Sequence, residues 1–258
     1  MNKILILTLC LAPAALPQEK KMTCDDSGQW NERGHYCEIR EASMPAGGLL
    51  DVDGGVNGGI TIKGANRNDI LVRSKVQTYQ DDLADSRRMA SEILVERAGG
   101  RVRATGPTVE KHGWGVSYEI FVPEKTDLLL HTHNGGISIA GVQGHIQFEA
   151  VNGGVSLKRL AGSVEGHTTN GGLHLELDSD HWNGDRCDVS TTNGGVTIRI
   201  PASYSAHLET GTVNGGVSID FPVTVQGQLN RHLAVDLGSG GSLVRAVTTN
   251  GGVRVERM

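Results

Sequence analysis

Two groups of residues in this chain of 258 have the types and spacing to do chemistry. The first is a file. His131, Glu149 and His167 recur every 18 residues, and His133 lies two places past His131, on the same face of an extended segment. Imidazole and carboxylate groups in register can hold a metal ion or sense protons. If each interval is one coil of a repeating fold, His131 and His167 lie roughly 9 to 10 Å apart. A shared ion would then need Glu149 as a bridge, and an exposed polar ladder is the plainer expectation, so no metal is assigned. The second group is the run in which Asp178, Asp180, Asp185 and Asp188 surround His181, Trp182 and Arg186. Carboxylates beside a ring can contact a carbohydrate, and paired carboxylates are what glycosidic cleavage requires. Asp180, His181, Trp182 and Asp185 are the candidate ligand-contact residues. The competing expectation is a solvated loop with Trp182 on the flank of the fold.

The elements that must position these groups are written in seven Asn-Gly-Gly triplets, beginning at Asn57, Asn134, Asn152, Asn170, Asn193, Asn214 and Asn250. The intervals are 77, 18, 18, 23, 21 and 36 residues. Since 36 is two eighteens and 77 is close to four nineteens, one period of 18 to 23 residues spans the series. Three residues past each Asn stand Ile60, Ile137, Val155, Leu173, Val196, Val217 and Val253. Two further on come Ile62, Ile139, Leu157, Leu175, Ile198, Ile219 and Val255, with polar residues between the two columns. That alternation predicts a half-buried strand leaving a tight turn.

Before the later triplets a small residue recurs, as Thr132, Ala150, Thr168, Thr191, Thr212 and Thr248, which predicts a second strand entering the turn with that residue tucked inward. Asn tolerates positive φ and Gly adopts it freely, so the triplets predict a special backbone angle. On that reading Gly172→Val should be strained.

Two arrangements use such a unit: a meander of antiparallel hairpins, for which Asn-Gly is a strong signal, or a β-solenoid whose equivalent strands stack in parallel. Like residues at equivalent positions favour stacking, because each then buries its side chain on its own copy. The expected fold is all-β, a solenoid resembling a parallel β-helix, with coils of 18 to 23 residues. Aromatic residues make up 4% and glycines number 36, which excludes a core of large rings. The net charge of −5 and the lack of a long basic run argue against nucleic acid as a partner.

Residues 1–16 read as an export leader, with Lys3 ahead of an apolar stretch from Ile4 to Leu11 and a small-residue zone at Ala12-Pro13-Ala14-Ala15. Cys10 raises a lipid anchor, but Leu7-Thr8-Leu9 before it lacks the small residues such a site needs. Export makes Cys24 and Cys37 natural disulfide partners, closing a short loop worth roughly 3 kcal/mol. Cys187 is left over, either buried or free for intermolecular pairing. The chain then divides into a leader at 1–16, a Cys-bearing segment at 17–47 and one repeat domain at 48–258. Within the last, Gln80 to Ala90 has no Gly or Pro and predicts one short surface helix.

The segment Tyr36-Cys37-Glu38-Ile39-Arg40-Glu41, the unit Pro45-Ala46-Gly47-Gly48, then Val56-Asn57-Gly58-Gly59-Ile60 and the serial triplets together resemble the DUF4097 group of bacterial repeat proteins, known as "putative adhesins". The resemblance spans residue 36 to the C-terminus and implies an exported, non-catalytic module of the cell envelope. It carries no catalytic residues and no cofactor. The alternative is a polysaccharide-binding or polysaccharide-cleaving protein on the same scaffold. The partner is an envelope or surface component, glycan or protein, and the location periplasmic, cell-surface or extracellular. Because the chain stops just after Val253-Arg254-Val255-Glu256, the last strand is expected to be an open edge, guarded by Arg254 and Glu256 or used for end-to-end self-association.

Overall fold

The structure is a computed structural model that describes residues 22–24, 34–108, 113–220 and 231–258. The expected leader and Cys10 lie outside the described residues. Strands β1 (His35–Pro45), β2 (Leu49–Asp53), β3 (Ile60–Ala65) and β4 (Asp69–Tyr79) precede helix α1 (Leu83–Glu92). After it come β5 (Leu94–Ala98), β6 (Arg101–Thr105) and β7 (Gly113–Pro123). The regular part runs through β8 (Asp127–Asn134), β9 (Ile137–Ala140), β10 (Gln143–Asn152), β11 (Val155–Lys158), β12 (Ala161–Asn170), β13 (Leu173–Glu176), β14 (Arg186–Asn193) and β15 (Val196–Ile200). It ends with β16 (Ala206–Asn214), β17 (Val217–Ile219), β18 (His232–Leu237), β19 (Leu243–Asn250) and β20 (Val253–Arg257). These strands form two large mixed sheets, ordered β1-β4-β7-β3-β9-β11-β13-β15-β20-β17 and β18-β16-β19-β14-β12-β10-β8-β2-β6-β5. Among the described residues the fold is all-β apart from α1.

Each Asn-Gly-Gly turn carries the chain from the second sheet to the first, and equivalent strands of successive turns pair in parallel. Ile137 pairs with Ile60 on one side and Val155 on the other, Val155 with Leu173, and Leu173 with Val196. Parallel pairing excludes the hairpin meander for this part of the chain. Both apolar columns run through the interior; Val217 and Ile219 on β17 are half-buried, and the other members, from Ile60 and Ile62 to Val253 and Val255, are at most 2% exposed. Each such side chain contributes about 1.5 to 3 kcal/mol on burial. In the second sheet the matching inward file is Leu128, Ile146, Val164, Cys187, Val244 and Leu208. Cys187 therefore occupies an aliphatic place, and burial pushes its thiol pKa well up, so it stays protonated.

The small residues before the triplets are inward, as expected, and they have a bonding role that the spacing alone did not indicate. The Thr168, Thr191 and Thr248 hydroxyls donate to the carbonyls of Gly153, Gly171 and Gly194 on the neighbouring turn, each at 2.8 Å. Outside the sheets the asparagines form an amide ladder. Asn134, Asn152, Asn170 and Asn193 each donate Nδ2 to the Oδ1 of the preceding triplet's Asn at 2.8 to 3.1 Å. Asn250 donates to Asn193, and Asn214 donates to Asn250.

Backbone angles at the turns differ from the expectation. Among the described residues Arg159 is the one non-glycine with positive φ, and Gly172 is not in that region. What the turns require is the absence of a β-carbon at the first glycine. A Cβ built on Gly135, Gly153, Gly171 or Gly194 would collide with the carbonyl of the equivalent glycine next door, because the turns stack backbone on backbone. At Gly172 the nearest atoms would be 3.6 and 3.7 Å away, ordinary contacts.

The two long intervals also resolve differently. The 77-residue step is one excursion rather than four coils: β2 and β3 pair directly with β8 and β9. The excursion extends both sheets past β2 and β3, with β4 antiparallel to both β1 and β7, and β5 antiparallel to β6. Helix α1 starts later than expected because the Asp82 carboxylate caps it, accepting from the Asp85 N–H at 2.8 Å. It seats Ser86, Met89 and Ala90 while Leu83 is exposed, and Arg40 of β1 donates to the carbonyls of Ala90 and Ile93 at 2.6 Å.

The 36-residue step conceals a reordering. β19 lies between β14 and β16, and β20 between β15 and β17. The expected open edge at the last strand is therefore corrected: β20 has a neighbour on each side, and among the described residues the sheet edges at that end are β17 and β18. Arg254 and Glu256 guard no edge, and end-to-end pairing through β20 has no free strand to use.

Candidate functional site

The groups singled out in the sequence are placed as follows. Trp182 is 3% exposed, its Nε1 donating to the Gly162 carbonyl at 3.0 Å. The insertion between β13 and β14 folds back so that the indole joins Leu177 and Tyr204 in the interior. The ring is thus closed to any ligand, and the candidate set loses its platform. Asp180, His181 and Asp185 stay exposed, with Asp180 Oδ1 and His181 Nδ1 2.5 Å apart. Asp188 leaves the loop for β14, where it accepts from Arg245 at 2.7 Å. The cysteine pair is as expected, with Cys24 bonded to Cys37 on β1.

The histidine file is in the expected register, Glu149 pairing with His131 and with His167. Its side chains do not converge. His131 Nδ1 is 3.8 Å from Glu149 Oε2, whereas His167 engages β14, with Nδ1 3.0 Å from Ser190 Oγ and Nε2 3.2 Å from Thr192 Oγ1. Among the described residues no three His, Cys, Asp or Glu side chains gather as a metal-binding set.

His167 instead lines a groove of about 510 Å³ on the outer face of the second sheet, with Ser190, Glu209, Val213, His232 and Arg245. The reordered strands build it, since β14, β19, β16 and β18 lie side by side there. Two of its lining residues, Glu209 and Arg245, belong to a chain of alternating charge that crosses these strands. Arg245 donates to Asp188 at 2.7 Å and has Nε 3.8 Å from Glu209. Glu209 lies 3.6 Å from His207 Nε2, and His207 Nδ1 lies 2.8 Å from Asp236. The Asp236 hydrogen bond raises the His207 pKa, with the charges of Asp236 and Glu209 adding and desolvation opposing.

A raised histidine pKa stabilises the folded state fully below the unfolded value near 6.5, and the contribution fades as pH rises through the folded value. The pair is exposed, so the effect is a few tenths of a kcal/mol. Asp236→Asn should lower the His207 titration midpoint. Histidine ring NMR across pH 5 to 9 checks this, and an unmoved midpoint would refute the assignment.

Chemically the groove offers hydroxyls, a guanidinium, a carboxylate and two imidazoles. The contact between His167 and Ser190 is the first step of a nucleophile–base pair, but Thr192 sits at the far ring nitrogen where a triad places a carboxylate. The arrangement suits recognition of a polar ligand more than covalent chemistry. None of Glu209, Arg245, His207 or Asp236 was marked by the sequence. Their adjacency depends on strands brought together across the 36-residue interval, and the one available signal is their outward parity on strands whose alternate residues are buried.

No family model matches the chain, and no curated protein matches it. Among solved structures, a "putative cell adhesion protein" from Clostridium sporogenes aligns over 86% of this chain and 100% of its own, at 13% identity and a TM-score of 0.44. A "putative adhesin" from Bacteroides fragilis covers 86% of this chain and 97% of its own at 8% identity and a TM-score of 0.33. Another from Parabacteroides merdae covers 84% and 96% at 7% identity and a TM-score of 0.33. Likeness this partial fixes neither family nor activity.

Proposed function

We propose that the chain is an exported, non-catalytic β-solenoid of the DUF4097 type that serves as an adhesin or binding module at the bacterial cell envelope. The observation that carries this reading is the in-register stacking itself. Equivalent residues lie side by side strand after strand, so the outer faces become flat periodic arrays, such as Thr61, Ser138, Ser156, His174 and Thr197 on the first sheet. A periodic face of hydroxyls and paired charges complements a repetitive partner, glycan or protein. The Cys24–Cys37 bridge supports a location outside the cytoplasm.

Purified mature protein mixed with isolated envelope fractions and with soluble and insoluble glycans tests it. Saturable retention without release of new reducing ends is the expected result. Retention by no fraction would overturn the binding role, and reducing-end release would move the chain to the polysaccharide-cleaving alternative.

A further inference from the structure

We propose that the pocket at the Asn57 end of the amide ladder binds one sugar ring, a neutral or amine-bearing pyranose at the end of a glycan; this deepens the envelope-binding reading and rests on it. The seven amides are joined by six hydrogen bonds that all run in one sense, from Asn214 towards Asn57, so the ladder has a donor end and an acceptor end. Each hydrogen bond in such a chain polarises the next. At the donor end Asn57 Oδ1 accepts from Asn134 at 3.1 Å, which leaves the strengthened Nδ2–H of Asn57 to a ligand.

That end opens into a cavity of about 280 Å³ walled by Asp53, Val56, Asn57, Pro107, Trp114 and Val116. Ligand pockets run from roughly 300 to 1,000 Å³, so this one fits a single ring rather than a length of polymer. Trp114 is half-buried and held by an Nε1 hydrogen bond to the Pro107 carbonyl at 2.9 Å, so its indole is fixed before any ligand arrives. A fixed ring is a platform for the C–H face of a pyranose, with little ordering cost on binding. Asp53 is exposed at the rim, its Oδ1 held by the Gly55 N–H at 2.8 Å, leaving Oδ2 to accept from a sugar hydroxyl. One donor, one acceptor and one ring match two neighbouring hydroxyls and the apolar face between them. The Asp53 carboxylate repels uronic acids and favours a sugar that is neutral or carries an amine.

Titration calorimetry and saturation-transfer NMR of the full exported chain against glucose, galactose, mannose, glucosamine, N-acetylglucosamine and galacturonic acid test this. At least one neutral or amine-bearing sugar should bind saturably and galacturonic acid should not. Asn57→Ala and Asp53→Asn should each weaken binding about tenfold with an unchanged melting temperature. The proposal is overturned if no sugar of the panel saturates, or if both variants bind as the parent does. An Asn57→Ala protein that loses the sugar yet still binds envelope fractions would support the pocket and place envelope binding on another surface. Failure of the parent on envelope fractions would remove the broader reading, with the sugar titration still deciding the pocket.

Discussion

Gly171→Val should lower the melting temperature by about 6 to 12 °C, whereas Gly172→Val, one residue on, should change it little. The first glycine of the triplet lies beneath the Gly153 carbonyl, and a β-carbon there would overlap backbone that cannot move without unstacking two turns. Overpacking against backbone costs about 3 kcal/mol or more, and in a chain of this size each kcal/mol is worth about 2 to 4 °C. Gly172 has its nearest neighbours at 3.6 and 3.7 Å, so a side chain there meets ordinary contacts and should cost less than about 1 kcal/mol. Thermal melts followed by circular dichroism decide between the positions. If Gly172→Val is the more damaging change, the turns depend on backbone angle after all, and the close-stacking account fails.

Trp182→Ala should cost about 3 to 5 kcal/mol, as expected for deletion of a buried ring. Asp180→Ala, His181→Ala and Asp185→Ala, all on the exposed part of the same loop, should stay within about 0.5 kcal/mol. The indole lies among aliphatic side chains and satisfies the Gly162 carbonyl, so its removal leaves both a cavity and an unpaired acceptor. Chemical denaturation of the four variants measures this, and glycan titrations of the folded Trp182→Ala protein should match the parent. An intact stability with lost binding would return Trp182 to the surface role that its neighbours in the sequence suggested.

The inward files were legible because period-two alternation is local: Ile137 and Ile139 report their own burial whatever lies beside them. Parallel stacking was legible because like residues recur at like places. Three things were not. The reason for glycine at Gly171 lies in the carbonyl of Gly153, a contact across turns that no single repeat displays. The burial of Trp182 depends on the insertion between β13 and β14 folding back so that its Nε1 reaches the Gly162 carbonyl, a path that the polar residues around it in the sequence do not display. The groove of His167, Glu209 and Arg245 depends on which turn neighbours which, and interval lengths give separation along the chain, not order in space. Asn214 follows Asn193 in the series of triplets, while in the structure Asn250 stands between them.

That inserted pair of strands has a consequence for how the protein is made. As the chain emerges from its N-terminal end, β8 to β15 can dock one after another, each on a template already laid down. β16 and β17 cannot reach their final place, because β19 and β20, which must flank them, are still to come. Until residues 243–257 arrive, β16 and β17 either wait or settle on β14 and β15 in a near-equivalent register, with Asn214 against Asn193. The last segment must then displace them, wedging open an interface that already has its hydrogen bonds. Completion is thereby tied to the arrival of the last segment, and a product truncated before residue 243 would leave β16 and β17 without the neighbours they have in the full chain.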